Sequence, residues 1–178
     1  IYNSLVLLGE EVSAEFDYSS CKRVTVSPTI TTIRTGTLSN LSSITELELP
    51  NSVTLIEENS LPNYLEKLTM SGNICLSKIS QYAKHYLKHV LIKDTTVISD
   101  EQFKDLQALE IIEYGKLITS IGNEAFKNCK SLVEVPYFKD VTSIYSNSFN
   151  NCESLEEIVL PNKELTMISD NRTSNPFN

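Results

Sequence analysis

The two histidines of this 178-residue chain, His85 and His89, have the spacing of a metal site. Residues four apart share one face of a helix, as the two zinc ligands do in the peptidase motif H-E-x-x-H. Here Tyr86 follows the first histidine, so the glutamate that would act as general base is absent. A strand is predicted to begin at Val90, which would break the helix between the histidines. We predict two surface residues beside a core strand, with a metal site as the alternative.

Several glutamates fall on or beside the middle positions of predicted strands, which raises a glycosidase hypothesis. Such enzymes need two carboxylates at a fixed separation, one of them with its pKa raised by an apolar pocket. An open strand face is wet, so solvated surface residues are the favoured interpretation. No G-x-S-x-G, Walker A or G-x-G-x-x-G motif occurs. We predict no catalytic residue, no cofactor and no enzyme, with a metal- or carboxylate-dependent hydrolase as a distant alternative. The glutamates are Glu46, Glu48, Glu113, Glu134 and Glu157.

The four cysteines include no C-x-x-C pair, which excludes a structural zinc site of that type. Cys129 and Cys152 are 23 residues apart and occupy the same position in the repeat described below. Stacked one above the other, they would be close enough for a disulfide. The favoured interpretation is a buried, reduced ladder, because free cysteine behaves as a small hydrophobic residue in protein cores.

The composition is that of an ordinary acidic globular chain. Hydrophobic residues make up 40% and charged residues 21%, and 15 Lys and Arg stand against 23 Asp and Glu, for a formal charge of −8. This balance argues against intrinsic disorder, and against binding nucleic acid or an anionic membrane. The longest apolar stretch, Leu5 to Leu8, is far shorter than the ~20 residues of a membrane-spanning helix. Because the sequence begins with Ile1, we expect a processed or excised chain whose export signal or anchor would lie outside it.

The elements that position these residues form an internal repeat. A triplet of apolar, any and apolar residues recurs seven times, its starts 21 to 23 residues apart. In a strand the first and third side chains share one face, so they are predicted to point inward and the middle one outward. One such unit cannot bury its own apolar side, so the units must stack into a solenoid. The triplets begin at Val24, Leu47, Leu68, Val90, Ile112, Val135 and Ile158.

Further apolar positions keep phase with the triplets. An isoleucine follows about nine residues later in each unit, and an apolar pair such as Ala125-Phe126 comes after it. We predict an α/β repeat fold of about seven coils of 21 to 23 residues, with short parallel strands on one face and turns, short helical or 3-10 segments on the other. The in-phase isoleucines are Ile33, Ile56, Ile79, Ile98, Ile121, Ile144 and Ile168.

The segment from Leu109 to Leu155 resembles two consecutive BspA-type leucine-rich repeats. That pattern runs L-x-x-I-x-I-P, then V-x-x-I-G, then A-F-x-x-C, and Ile121-Gly122 and Ala125-Phe126 with Cys129 fit it. The resemblance implies a leucine-rich-repeat solenoid and a non-enzymatic interaction module of bacteria or protists. It also implies an extracellular or cell-surface location and a protein partner, with host or matrix proteins among the candidates.

We predict a single repeat domain over residues 1–178. Residues 1–20 form an irregular N-terminal cap or partial coil, residues 21–168 carry the repeats, and residues 169–178 form an irregular C-terminal end. A protein-interaction or adhesion module is the favoured function. A structural spacer within a larger surface protein is the alternative.

The outward positions of the strands form the predicted binding face. From the fourth triplet onward this face becomes more apolar, and an exposed apolar cluster rimmed by charge is typical of an interaction site. The predicted partner-binding residues are Leu91, Ile111, Glu113, Glu134, Pro136, Phe138, Glu157 and Val159.

Overall fold

A computed structural model describes residues 4–9, 20–72, 74–115, 117–160 and 166–168. Within these ranges the chain winds as a solenoid of about six turns, which confirms the predicted repeat fold. In chain order the elements are β1 (Ser4–Leu7), β2 (Arg23–Val26), β3 (Thr32–Ile33), β4 (Glu46–Glu48), β5 (Leu55–Ile56), β6 (Lys67–Met70), α1 (Gln81–Tyr86), β7 (His89–Ile92), β8 (Val97–Ile98), β9 (Ile111–Tyr114), β10 (Ser120–Ile121), β11 (Ser143–Tyr145) and β12 (Thr166–Ile168).

The main sheet has six parallel strands in the order β1-β2-β4-β6-β7-β9. Its register pairs Val24 with Leu47, Leu68, Val90 and Ile112 in turn, so the first five triplets are in phase as predicted. These five side chains are all buried, because alternation along a strand directs them to the core. The predicted N-terminal cap lies mostly outside the described residues, but β1 within it pairs with β2 and extends the sheet by one strand.

A second set of short strands lies on the next side of the coil. It comprises the pair β3-β5 and the four-stranded sheet β12-β11-β10-β8, all parallel. The register pairs Ile144 with Met167 and Tyr145 with Ile168, so the predicted phase of Ile168 is wrong by one residue. The 23-residue spacing continues through Met167, which is also apolar. The predicted irregular end at 169–178 lies outside the described residues.

The core of the later coils contains a column of aromatic rings. Phe103, Phe126 and Phe149 occupy equivalent positions, and successive ring centroids are 5.2 Å apart in stacked geometry. On the turn side, Asn128 Nδ2 donates to Asp105 Oδ1 at 2.7 Å and Asn151 Nδ2 donates to Asn128 Oδ1 at 2.9 Å. These three residues have positive φ, which Asn and Asp tolerate better than most residues. A side-chain ladder therefore joins the coils along their turns, in addition to the packing of the aromatic column.

The two strand sets differ at the coil between β6 and β7. The predicted phase of Ile79 is wrong. Its N–H donates to the carbonyl of Leu76, as the N–H of Leu106 donates to the carbonyl of Phe103, so Ile79 is equivalent to Leu106 and not to the isoleucines of the second strand set. Leu76 follows Met70 by six residues, whereas Phe103 follows Ile92 by eleven. The chain between Ile79 and β7 is correspondingly longer and forms α1. We call the two segments of a coil, before and after the position of Leu76, its first and second legs. The number of residues per coil is kept because the shorter first leg is offset by the helix in the second.

Gln102 closes the gap that this short leg leaves. Its side chain is fully buried, with Nε2 donating to the carbonyls of Gly72 at 2.7 Å and Ile74 at 3.0 Å. Its Oε1 accepts from the N–H of Ser99 at 2.9 Å. Three backbone groups that no strand pairs are thus satisfied by one amide side chain.

The main sheet ends at the sixth triplet, where only an isolated bridge pairs Glu134 with Ile111. N–H groups of Ile111 and Gly115 donate to the preceding coil, and by alternation Glu113 is the donor position between them. The equivalent of Glu113 in the next coil, 23 positions later, is residue 136. That residue is Pro136, which has no N–H to donate. No strand is therefore assigned over 135–138, although the triplet predicts one.

Candidate binding surface

The strands of the main sheet align their outward side chains in columns. The left column runs Arg23, Glu46, Lys67, His89, Ile111 and Glu134, each paired in register with the next. The middle column runs Thr25, Glu48, Thr69, Leu91 and Glu113. Neighbouring strands lie about 4.8 Å apart, so these columns form one continuous, rigidly spaced face.

The N-terminal half of this face, which we call the charged half, carries Arg23, Glu46, Glu48, Lys67 and Lys93. Lys93 Nζ donates to Glu48 Oε1 at 2.5 Å, reaching across β6, and Arg23 lies 4.0 Å from the same carboxylate. The hydrogen bond and charge of Lys93 lower the pKa of Glu48 from its ordinary value. A shallow depression is lined here by polar and charged residues. The carboxylate of Glu48 is thus paired with two cations of the same half.

The C-terminal half carries exposed apolar side chains, which we call the apolar patch: Ile111, Val133, Pro136, Tyr137 and Val159. Exposure is 41% for Ile111, 53% for Val133, 58% for Tyr137 and 51% for Val159, while Pro136 is half-buried. Leu91, also half-buried, borders the patch on β7. Large apolar side chains clustered at this exposure are typical of surfaces that meet another molecule.

One predicted site residue is oriented wrongly. Phe138 is 2% exposed, and its ring centroid lies 6.1 Å from that of Tyr114 and 6.4 Å from that of Phe149. The strand pattern predicts Tyr137 inside and Phe138 outside, but the two are exchanged. Pro136 prevents regular pairing, and the inward positions Val135 and Phe138 are then three residues apart instead of two. The phenyl ring is buried and the phenol, which can hydrogen-bond to water, is left outside.

Register places Ile111, Glu113 and Glu134 in the columns, whereas the column positions of Glu157 and Val159 follow from the repeat spacing alone. Ile111, Glu113, Glu134, Glu157 and Val159 are exposed. Sequence reasoning missed Val133 and Tyr137. The signal for Tyr137 is Pro136 itself, because a proline within a strand pattern argues against regular pairing.

The two histidines lie on different elements. His85 is in α1, with Nδ1 at 2.7 Å from the carbonyl oxygen of Gln81, whereas His89 begins β7. The predicted break between them is confirmed. His89 Nε2 lies 2.8 Å from Glu113 Oε1 on the sheet face. Among the described residues, no group of three His, Cys, Asp or Glu side chains is placed to hold a metal ion.

Glu48 does not have the features of a general acid. That role needs a carboxyl group whose pKa is raised by its surroundings. The neighbours of Glu48 lower its pKa instead, and more than half of its side chain is exposed. The described surface therefore offers no support for the hydrolase alternative at this residue.

The cysteine ladder is reduced. Neither Cys129 nor Cys152 forms a disulfide: Cys129 Sγ donates to the carbonyl of Phe103 at 3.1 Å and Cys152 Sγ to that of Phe126 at 3.2 Å. Burial raises the pKa of Cys129, and it raises that of Cys152 to about 12. Both thiols act as core side chains that also pair a backbone carbonyl of the preceding coil.

No helix in the described ranges is long and apolar enough to cross a membrane.

One solved structure of a known protein supports the same fold. The structure of a leucine-rich repeat protein from Eubacterium ventriosum is similar with a TM-score of 0.58 and 20% identity, over 88% of this chain and 44% of that one. A leucine-rich repeat protein from Bacteroides ovatus aligns with a TM-score of 0.46 and 19% identity, over 94% of this chain and 57% of that one. This chain thus spans less than half the length of the first. None of the curated proteins matches the sequence.

The family is established by the sequence itself. The model of the BspA type leucine rich repeat region (6 copies) matches residues 12–93 and 80–176, which together are most of the chain. Repeats of this kind build extended surfaces that generally mediate protein interaction. The chain belongs to the BspA-type leucine-rich repeat family.

Proposed function

We propose that this chain is a protein-recognition or adhesion module, displayed on a cell surface as one repeat domain, that binds its partner through the apolar patch. The observation that supports this is the set of exposed apolar side chains on and beyond the last strand of the main sheet, next to a half of the face in which Glu48 pairs with Lys93 and Arg23. Interface centres are enriched in aromatic and aliphatic side chains and depleted in charge.

The contrast between the halves favours the apolar patch as the contact surface. Burying the charged half would require removing water from three charged side chains, Arg23, Glu48 and Lys93, which costs free energy even though Lys93 and Arg23 both lie near the carboxylate of Glu48. Burying the patch removes apolar surface from water at about 25 cal/mol per Å². Tyr137 and Ile111 are the expected anchors because both are large and exposed.

A double variant tests the patch. We expect Ile111→Asp with Tyr137→Asp to weaken binding of the captured partner at least about 30-fold, the loss of about 2 kcal/mol typical of a hot spot. The matched control is Thr25→Asp with Thr31→Asp, two exposed positions near the charged half, which should change affinity less than about 3-fold. Partners are isolated by crosslinking to intact cells, identified, purified and then measured by titration calorimetry.

If the wild type, the double variant and the control variant bind every purified partner with equal affinity, the apolar patch is not the binding site. That result would favour the structural-spacer alternative. Surface display is tested separately. Antibody against the chain should label intact cells, and added protease should remove the label. A signal only after cell lysis would contradict surface display.

A further inference from the structure

The carboxylates around the apolar patch indicate what charge its partner carries. Glu134 pairs in register with Ile111 of the left column. The repeat spacing then assigns Glu157 to the left column, and Pro136 and Val159 to the middle column after Glu113. These six positions contain three carboxylates and no Lys or Arg. The same columns of the four preceding coils hold Arg23, Lys67 and His89 along with Glu46 and Glu48.

The ionic contacts of the three patch carboxylates differ from those of Glu48. Within the described residues, neither Glu134 nor Glu157 takes part in an ion pair, and Glu113 contacts only the imidazole of His89. Glu134 bridges Ile111, two residues before Glu113, so Glu113 and Glu134 are diagonal neighbours with like charges. The charged half pairs its glutamate with Lys93 and Arg23. Among the described residues, therefore, no Lys or Arg forms an ion pair with the carboxylates beside the apolar patch.

We propose that the partner is a protein surface with an apolar centre flanked by Lys or Arg side chains. This inference rests on the proposed function of the patch. Cations of the partner would approach Glu113, Glu134 and Glu157 while its apolar centre covers Ile111 and Tyr137. Such complementarity accelerates association and sets partner choice more than it adds affinity.

The same charges argue against a second copy of this chain as the occupant. A two-fold symmetric contact pairs a surface with itself, so the acidic surface of one copy would meet the same acidic surface of the other. Like charges facing each other across an interface cost affinity. The occupant is accordingly a different, basic surface.

The test uses a displayed library of small helical scaffolds, because binders can be selected from it before the natural partner is identified. Each member carries the same apolar centre, and the flanking positions are randomised among Lys, Glu and Ser. Selection is run against the wild-type chain, against Glu113→Gln/Glu134→Gln/Glu157→Gln, and against the double variant of Ile111 and Tyr137. Sequencing then gives the ratio of Lys to Glu at the flanks.

We expect the wild type to enrich Lys over Glu at least about 10-fold, and the triple Gln variant to lose most of that preference. Affinity of selected binders for the wild type should fall between about 0.02 M and about 0.15 M NaCl, and fall less for the triple variant. Equal enrichment of Lys and Glu, or a Lys preference that persists unchanged in the triple variant, would overturn the basic-partner inference while leaving the patch proposal intact.

The remaining outcomes address the patch itself. Binders that also recognise the double variant, or a failure to select any, would contradict the proposed function together with this inference. Sedimentation of the wild-type chain completes the test. A dimer that dissociates on introducing the Ile111 and Tyr137 changes would show that a second copy occupies the patch, and would refute a basic partner.

Discussion

The charged half and the apolar patch share one solenoid but use its outward positions differently. In the charged half, Glu48 is held by Lys93 and Arg23, so side chains from different coils are tied together across the face. In the patch, Ile111 and Tyr137 are exposed, and nearby Glu134 makes no ion pair among the described residues. Paired charges stabilise a surface in water, whereas exposed apolar groups and free carboxylates gain energy only from a partner.

The largest effect is expected inside the patch coil, where one aromatic residue is core and its neighbour is surface. Phe138→Ala should destabilise the chain by about 3 to 5 kcal/mol, because it removes a buried ring that contacts Tyr114 and Phe149. Tyr137→Ala should change stability by at most about 0.5 kcal/mol. Urea unfolding at neutral pH measures both.

Phe138→Leu is the milder companion if the alanine variant does not fold. It should cost less than the alanine change, since most of the buried volume is kept. Similar losses for the alanine variants of 137 and 138 would contradict the exchange of inside and outside at this coil.

A smaller effect is expected where the coils of the two halves join. Gln102→Leu should cost about 2 kcal/mol, because the carbonyls of Gly72 and Ile74 and the N–H of Ser99 lose their partner. The control Gln107→Leu changes an exposed glutamine and should be nearly neutral. Equal unfolding free energies for the two variants would show that Gln102 does not secure the joint.

The smallest effect compares a paired carboxylate with a free one. Lys93 lowers the pKa of Glu48 in the folded state. The Glu48 carboxylate therefore contributes to the free energy of unfolding above its unfolded pKa of about 4.3, and this contribution is lost as the pH falls through the lowered folded pKa. Glu48→Gln should therefore cost less than about 1 kcal/mol at neutral pH and nothing in strong acid. The exposure of Glu48 and added salt both reduce the effect.

Glu134→Gln is the matched change in the patch, and it should leave stability unchanged at either pH because no cation pairs with this side chain among the described residues. The measurement is urea unfolding of both variants at neutral and acid pH. A loss for Glu134→Gln as large as that for Glu48→Gln would remove the distinction between the two halves.

Much of the fold and part of the candidate site could be predicted from the sequence. Alternation and a period of 21 to 23 residues are local properties, so the columns from Arg23 to Ile111 follow directly from residue spacing. The errors occur where one leg of a coil changes length at constant period. The period gives Ile79 the phase of a second strand although its coil forms α1, and alternation directs Phe138 outward although Pro136 prevents the strand.

Those errors share a physical cause. A period counts only the residues in a whole coil, whereas the direction of a side chain depends on the local conformation of a single leg. The pairing of Glu48 with Lys93 is also beyond the sequence, because it joins residues across an intervening strand and depends on how two long side chains are oriented.

The exchange of Tyr137 and Phe138 has a consequence for how such surfaces diversify. Val135 and Phe138 are three residues apart and both buried, yet the aromatic column and the period of the array continue undisturbed beyond them. When the outward position of one coil shifts by one residue, that coil presents a different side chain on the face, and the neighbouring coils keep theirs. Small insertions and deletions, as well as substitutions, can thus change the specificity of a repeat scaffold during evolution without loss of its core.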